Sequence, residues 1–148
     1  MTQVIAERVW FRLLRLDARM RDSIARRIKT IGLSIPQGDV LTTLTEREGV
    51  SQQELAQRLY VTKGNISGLI DRLVAAGLVE RRSLDGDRRS HAIFLTASGR
   101  TAAEKALAIQ KQFVAETLGC MDESQLQQLN LLLQAARDSV RAGSETHA

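Results

Sequence analysis

Apolar residues recur every three or four positions through the first thirty residues of the chain, which is the period of an amphipathic α-helix. The stripe consists of Val9, Leu13, Leu16, Met20, Ile24, Ile28 and Ile31. Arginines occupy much of the remaining circumference, and Gly32 ends the periodic pattern. The pattern therefore predicts one long helix over residues 4–30, with one apolar face and a basic remainder.

Three shorter helices are predicted next, and each begins at a residue that can cap a helix. Ser34 and Ser51 both fit the capping-box pattern, a serine followed three residues later by glutamine or glutamate. Thr62 can cap the third of these helices, which ends at Gly77. Its inward face is predicted to carry Ile66, Leu69, Ile70, Leu73 and Val74. Because only residues 60–62 separate it from the preceding helix, the two predict a helix-turn-helix.

A two-stranded hairpin is predicted directly after the helix-turn-helix. Residues 78–84 and 91–95 have strand patterns and flank a charged turn around Gly86. A helix-turn-helix followed at once by a hairpin is the winged-helix arrangement. The predicted fold class is mainly α with a small β-hairpin wing, in which a winged helix-turn-helix is joined to further long helices.

Two of these helices follow Thr96 and Asp122. The last one carries a seam with the 3-4-3-4 spacing of a coiled coil, formed by Leu126, Leu129, Leu133, Ala136 and Val140. Such a seam requires another helix to cover it. The N-terminal helix with Leu13 and a second copy of the chain would serve equally well, so the seam alone leaves both partners open.

Charge supports contact between the helix-turn-helix and nucleic acid. The chain has a net charge of +4, and residues 58–91 hold seven basic and four acidic side chains. The exposed side of the helix after Thr62 has two glycines one turn apart, which favours close approach by another molecule. The candidate DNA-contacting residues are Thr62, Lys63, Gly64, Asn65, Ser67, Gly68 and Arg72. The alternative is a solvated face on which the glycines are merely tolerated.

The charged turn suggests a second DNA contact. An arginine at the tip of a wing suits the narrow, electronegative minor groove. Asp87 precedes Arg89 by two residues, and regular strand alternation would place both on one side, where the acid can orient the guanidinium. Arg88 adds a further positive charge. The alternative is an ordinary charged hairpin tip.

The segments LSIPQGDVLTTL, EGVSQQELAQRLYVTKGNISGLIDRLVAAGLVERR and DRRSHAIFLTASGR resemble the multiple antibiotic resistance regulator (MarR) family of transcription factors. The resemblance implies a homodimeric repressor that grips a pseudo-palindromic DNA operator and is released by a small, often aromatic or phenolic, effector. It implies that Arg89 enters the minor groove and that the helix from Thr62 reads the major groove. Gly68 departs from the family, where a basic or larger polar residue is frequent at this position.

On this resemblance, residues 1–148 form a single MarR-type domain. Residues 36–99 form its winged helix-turn-helix, and residues 4–31 and 100–142 form a helical dimerisation region. Residues 143–148 are predicted to be a flexible tail. The dimer contacts are expected at Leu13, Leu126, Leu129, Leu133 and Val140.

Enzymatic function is not indicated. Of the two histidines, His147 lies in the tail and His91 opens a strand, and no phosphate loop, cofactor motif or metal-ligand cluster is recognised. Cys120 is either a small packing residue or a redox sensor. The chain has no apolar run long enough to span a membrane and no evident signal peptide, so we expect a cytoplasmic, nucleoid-associated protein with no membrane partner. Two other functions stay open, namely a ligand-independent activator and a winged-helix protein-interaction module.

Overall fold

The computed structural model describes residues 1–59, 63–84 and 87–145, with residues 63, 84 and 87–90 described by their backbone alone. Within these residues the structure has six α-helices and three strands. They are α1 (Thr2–Lys29), α2 (Ile35–Glu46), β1 (Val50–Ser51), α3 (Gln52–Leu59), α4 (Lys63–Ala75), β2 (Val79–Leu84), β3 (Asp87–Leu95), α5 (Ala97–Glu116) and α6 (Glu123–Glu145), with a short 3-10 turn at Leu118–Cys120. The predicted fold class, mainly α with a β-hairpin wing, is confirmed.

The predicted helix boundaries are confirmed where their caps lie within the described residues. The Oγ of Ser34 accepts a hydrogen bond from the backbone N–H of Gln37, whose side chain accepts one from the N–H of Ser34 at 2.9 Å. The Oγ of Ser51 accepts a hydrogen bond from the N–H of Glu54 at 3.1 Å. Gly77 ends α4 with a φ of 71°, a left-handed conformation that favours glycine. The predicted cap Thr62 lies outside the described residues.

The three strands form one antiparallel sheet in the order β1-β3-β2. Strand β1 was not predicted, because its two residues are too few to show an alternating pattern. Strand β3 begins at Asp87 rather than at residue 91, since pairing with β2 extends into the charged segment. Ser83 pairs with His91 but Leu84 pairs with Asp87, so the register shifts at this end of the hairpin.

The hydrophobic core of residues 1–110 lies where α2, α3 and α4 pack against the sheet. Its fully buried side chains are Val40, Leu41, Leu44, Val50, Leu55, Ile66, Ile70, Leu73 and Ile93. Four of the five residues predicted for the inward face of α4 are buried. Val74 is the exception, with 38% of its surface exposed. At 3.6 residues per turn it lies about 90° from the centre of the buried stripe, so the prediction for Val74 was wrong.

The chain divides into two compact units, residues 1–110 and residues 111–148. The division falls within α5, inside the segment 100–142 predicted for dimerisation. Helix α6 continues to Glu145, so the first three residues of the predicted tail are helical. Residues 146–148 lie outside the described part of the chain. None of the helices among the described residues is long and apolar enough to cross a membrane.

Candidate nucleic-acid interface and adjoining cleft

Helix α4 buries one face and exposes the other. Gly64, Asn65, Asp71 and Arg72 are exposed, and Ser67 and Gly68 are half-buried. A Cβ added at Gly64 would meet nothing within 4 Å, and one at Gly68 would meet only the Nη1 of Arg72, at 3.9 Å. Packing within the described chain therefore does not require either glycine. The predicted contact residue Lys63 begins α4, but its side chain lies outside what the structure describes.

Arg81 on β2 connects the hairpin to the helix-turn-helix. Its Nε donates a hydrogen bond to the Oε1 of Gln52 at 2.7 Å, and its Nη2 donates to the Oδ1 of Asp71 at 2.6 Å and to the carbonyl oxygen of Ser67 at 3.5 Å. Only 25% of the Arg81 side chain is exposed. One guanidinium thus ties β2 to the start of α3 and to the middle of α4. The sequence analysis did not identify Arg81.

The wing is stiffened by a second arginine beside the first. The guanidinium of Arg82 lies 4.0 Å from the centre of the Phe94 ring and forms an ion pair with Glu80 on the same strand. The side chains of the predicted wing residues Asp87, Arg88 and Arg89 lie outside the described part of the structure. The roles predicted for these three residues stay predictions.

The base of the wing is held against the N-terminus of α5. The hydroxyl of Thr96 donates to the carbonyl oxygen of Gly77 at 2.6 Å and accepts from the N–H of Gly99 at 2.9 Å. A Cβ at Gly99 would overlap the carbonyl oxygen of Leu78. Glycine is therefore required at this close approach, which positions the wing relative to α4.

A carboxylate also supports the base of the wing. Glu48 accepts a hydrogen bond from the Nη2 of Arg100 at 3.0 Å and another from the backbone N–H of Leu95 at 2.9 Å. These bonds, above all the one from Arg100, lower the pKa of Glu48, because they stabilise its charged form. The carboxylate thus links the loop before β1 to the end of β3 and the first turn of α5.

A cleft of about 170 Å³ lies between α1, α2 and α5 within the first unit. Its lining consists of Ile24, Ile28, Ile35, Gly38, Asp39, Thr42, Ala106 and Gln110. A neighbouring hollow shares Asp39, Thr42 and Gln110 and is also lined by Thr43, Glu46, Leu59 and Leu107. At this volume the cleft suits only a small ligand, since most small-molecule sites measure roughly 300–1,000 Å³. It adjoins α2, which packs into the same core as α3 and α4.

Large apolar side chains are exposed on both α1 and α6. Helix α6 has no buried residue along its whole length, and Leu131, Leu132 and Val140 are each about two-thirds exposed. Of the predicted dimer contacts, Leu13 and Leu133 are exposed by 39% and 46%, whereas Leu126 and Leu129 are half-buried. The exposed apolar surface is thus broader than the predicted seam, which omitted Leu131 and Leu132.

The remaining candidates for chemistry do not form a site in the described residues. No group of three or more His, Cys, Asp or Glu side chains there could hold a metal ion. Cys120 is exposed, which does not fit its interpretation as a packing residue. His91 is half-buried, and its Nδ1 is buried without a hydrogen-bond partner. Neither residue is among those that line the cleft.

The sequence has clear relatives among DNA-associated regulators. The family model described as MarR family matches residues 31–90, the segment that contains α2, α3, α4 and β2. The HTH-type transcriptional regulator PrsX of Escherichia coli is 32% identical to the chain over 132 residues. That match covers 86% of this chain and 80% of PrsX.

Solved structures share the fold of most of the chain. CouR from Rhodococcus jostii RHA1, bound to p-coumaroyl-CoA, matches with a TM-score of 0.75 at 26% identity and covers 86% of this chain and 90% of CouR. The S. aureus MepR–DNA complex matches with a TM-score of 0.81 at 21% identity and covers 88% of this chain and 96% of that one. At its lower identity, the second likeness shows the shared fold alone.

Proposed function

The chain belongs to the MarR family of DNA-binding transcriptional regulators, and we propose that it acts as a homodimeric repressor released from a pseudo-palindromic operator by a small molecule. The main observation in support of DNA binding is the exposed edge of α4. Its glycines are not required by packing or backbone conformation, yet each costs the helix stability. Close approach of a DNA strand to the backbone of α4 would explain these glycines.

Helix α4 is proposed to enter the major groove. Its N-terminal part, with Thr62, Lys63 and Asn65, would reach base edges or phosphates, whereas Gly64 and Gly68 would allow a DNA strand near the helix backbone. Ser67 and Arg72 flank this edge. Asp71 is committed to Arg81, so its charge next to the phosphates is neutralised within the protein.

The wing is proposed to enter the adjacent minor groove through Arg89, oriented by Asp87, with Arg88 near the phosphates. Support comes from the way in which the hairpin is held. Arg81 fixes β2 to α3 and α4, so the distance between the two DNA-contacting elements is set before DNA binds. Such preorganisation lowers the entropy cost of binding both grooves at once.

Dimerisation is proposed to occur through α1 and α6, with the exposed leucines of α6 and the apolar residues of α1 covering each other across two copies. An exposed apolar surface this broad favours a protein partner. Two-fold symmetry would place two α4 helices about 34 Å apart, one turn of DNA, which is the spacing that a pseudo-palindromic operator requires.

Release is proposed to follow occupation of the cleft between α1, α2 and α5. A ligand there would contact α2, which packs in the same core as α3 and α4. A shift of α2 would change the distance between the two α4 helices of a dimer, and DNA affinity would fall. The complex of CouR with p-coumaroyl-CoA supports a small-molecule effector for this chain.

Selection from random duplex DNA, with purified protein and with the Arg89→Ala variant, tests the DNA-binding part of the proposal. We expect the wild type to enrich a two-fold symmetric motif. Arg89→Ala should weaken binding to that motif by about 1–3 kcal/mol and reduce the salt dependence of binding. Arg82→Ala is the control, because it removes the same charge from a side chain engaged with Glu80 and Phe94.

The outcomes separate the proposal from its alternatives. A folded protein that enriches no motif would favour a winged-helix protein-interaction module. If Arg89→Ala and Arg82→Ala lose DNA affinity equally, the wing contributes through its net charge and not through a specific contact of Arg89. Enrichment by a protein that activates its target promoter, and that no ligand releases, would favour the ligand-independent activator.

A further inference from the structure

We propose that the cleft between α1, α2 and α5 binds an organic cation with an apolar body, of the aryl-alkylamine type. The inference rests on the proposed function, because it names the chemical class of the effector. It is carried by the charges and the apolar walls of the cleft, and it differs from the phenolic anion that the family resemblance suggests.

The walls of the cleft supply a surface for an apolar body. Ile24 and Ile28 come from α1, Ile35 from the start of α2, and Ala106 from α5. Ile28 and Ala106 are buried, whereas Ile24 and Ile35 are half-buried and face the cleft. A small aromatic or branched alkyl group would remove this apolar surface from water.

The polar lining of the cleft consists of Asp39, Thr42 and the amide of Gln110. The neighbouring hollow shares these residues and adds Thr43 and Glu46, which lies about two turns along α2 from Asp39. No lysine, arginine or histidine of the described residues lines either space. The charged lining is therefore Asp39 in the cleft and Glu46 in the adjoining hollow, and it matches a ligand with a positive charge.

The nearest opposing charge is already engaged. Arg21 is close enough to lower the pKa of Asp39, but its Nε donates to both carboxylate oxygens of Asp17, at 2.9 and 3.0 Å. Desolvation outweighs this effect and raises the pKa of Asp39 overall. An ammonium group beside Asp39 would stabilise the carboxylate, whereas a bound phenolate or carboxylate would add a like charge. The cleft thus discriminates by sign of charge.

Three probes of nearly equal shape test the proposal by titration calorimetry of the full chain without DNA. They are 2-phenylethylamine as the cation, 2-phenylethanol as the neutral analogue and 3-phenylpropanoate as the anion. We expect the amine to bind at least ten-fold more tightly than the other two. Asp39→Asn should weaken the amine at least ten-fold and leave the alcohol nearly unchanged. Asp22→Asn is the matched control, because Asp22 is an α1 acid that does not line the cleft.

Each contrary result overturns the proposal. The first such result is an amine that does not bind. The second is a propanoate that binds as tightly as the amine. The third is an Asp39→Asn variant that is folded by circular dichroism and keeps its affinity for the amine. Glu46→Gln provides a second variant should Asp39→Asn fail to fold, and it too should weaken only the amine.

Since no DNA is present, these failures leave the DNA-binding proposal intact. Conversely, an amine could bind through Asp39 and leave the affinity for operator DNA unchanged. That result would support the cationic ligand class and contradict the proposal that a ligand in the cleft releases the protein from DNA.

Discussion

At the scale of single residues, three glycines of the winged helix have three different physical reasons. Gly77 has a φ of 71°, a conformation that residues with a Cβ adopt at a cost. Gly99 lies so close to the carbonyl oxygen of Leu78 that a Cβ would overlap it. Gly68 has neither constraint, since it lies in the middle of α4 beside open space. Neither backbone conformation nor packing in the described chain therefore requires glycine at this position.

Replacement of Gly68 by alanine should separate stability from function. We expect Gly68→Ala to raise the free energy of unfolding by about 0.5–1 kcal/mol, because alanine is the better helix former. The same variant should bind operator DNA more weakly, because the added methyl group lies on the face that we propose the DNA backbone approaches. Chemical denaturation and a DNA titration measure the two effects on one preparation.

Gly99→Ala provides the opposite case for that experiment. Its Cβ can be accommodated only if the backbone moves, so we expect a loss of about 1–3 kcal/mol or more in the free energy of unfolding. If Gly68→Ala is more stable and binds DNA as well as the wild type, the glycine face has no role in close approach, and its glycines are only tolerated.

At the scale of elements, the relation between the wing and α4 depends on one side chain. Arg81→Ala removes the three hydrogen bonds that join β2 to α3 and α4, and Arg82→Ala removes contacts confined to the wing. Both variants lose one positive charge at neighbouring positions. Any difference between them therefore reports the connection between elements and not the net charge.

We expect Arg81→Ala to weaken operator binding more than Arg82→Ala does. The hydrogen bonds of Arg81 to partly exposed partners should contribute about 1 kcal/mol to stability, so the variant stays folded. Titrations with the selected operator, and hydrogen exchange of β2 and α4, measure the effect. Equal affinities for the two variants would mean that α4 and the wing are positioned by the core and the base of the hairpin alone.

The elements that could be predicted from sequence are those whose signals are local. Ser34, Ser51 and Gly77 cap helices through bonds to residues three positions away, so their spacing alone reveals them. The start of β3 could not be predicted, because a charged segment becomes a strand only through its partner. Arg81 was missed for the same reason. Its partner Gln52 is 29 residues distant, and no local pattern distinguishes it from Arg82.

In the candidate site too, the features with local sequence signals could be predicted and those formed by distant residues could not. The exposed edge of α4 follows from helical periodicity, and the structure adds that the space beside Gly64 is open and that only the end of the Arg72 side chain approaches Gly68. The cleft could not be predicted, since its lining comes from three helices that are separated by up to about eighty residues of sequence. The sign of its charge became visible only when Asp39 was found in the lining of the cleft, with Glu46 in the adjoining hollow.

At the scale of the whole molecule, the exposed apolar surface is the strongest argument for a second copy. Complete burial of one leucine or valine side chain contributes about 1.5–3 kcal/mol of favourable free energy. A surface with many exposed side chains of this kind therefore gains free energy when a partner covers it. Leu131 and Leu132, which lie outside the predicted seam, are more exposed than its leucines and about as exposed as Val140, the last seam residue. The interface should therefore be centred on the outer face of α6 and extend beyond the 3-4-3-4 stripe.

Leu132→Asp should convert the dimer into a monomer. With 68% of Leu132 exposed in the single chain, the substitution costs little in the isolated protomer, but in the interface it would bury an unpaired charge. Asn130→Asp adds the same charge at a nearby polar position and should leave the dimer intact. Sedimentation at micromolar concentration, with circular dichroism to verify helix content, measures both variants. A dimeric Leu132→Asp protein would exclude this face of α6 from the interface. If the wild type is a monomer, each copy binds DNA through a single α4, and the selected DNA motif should then show no two-fold symmetry.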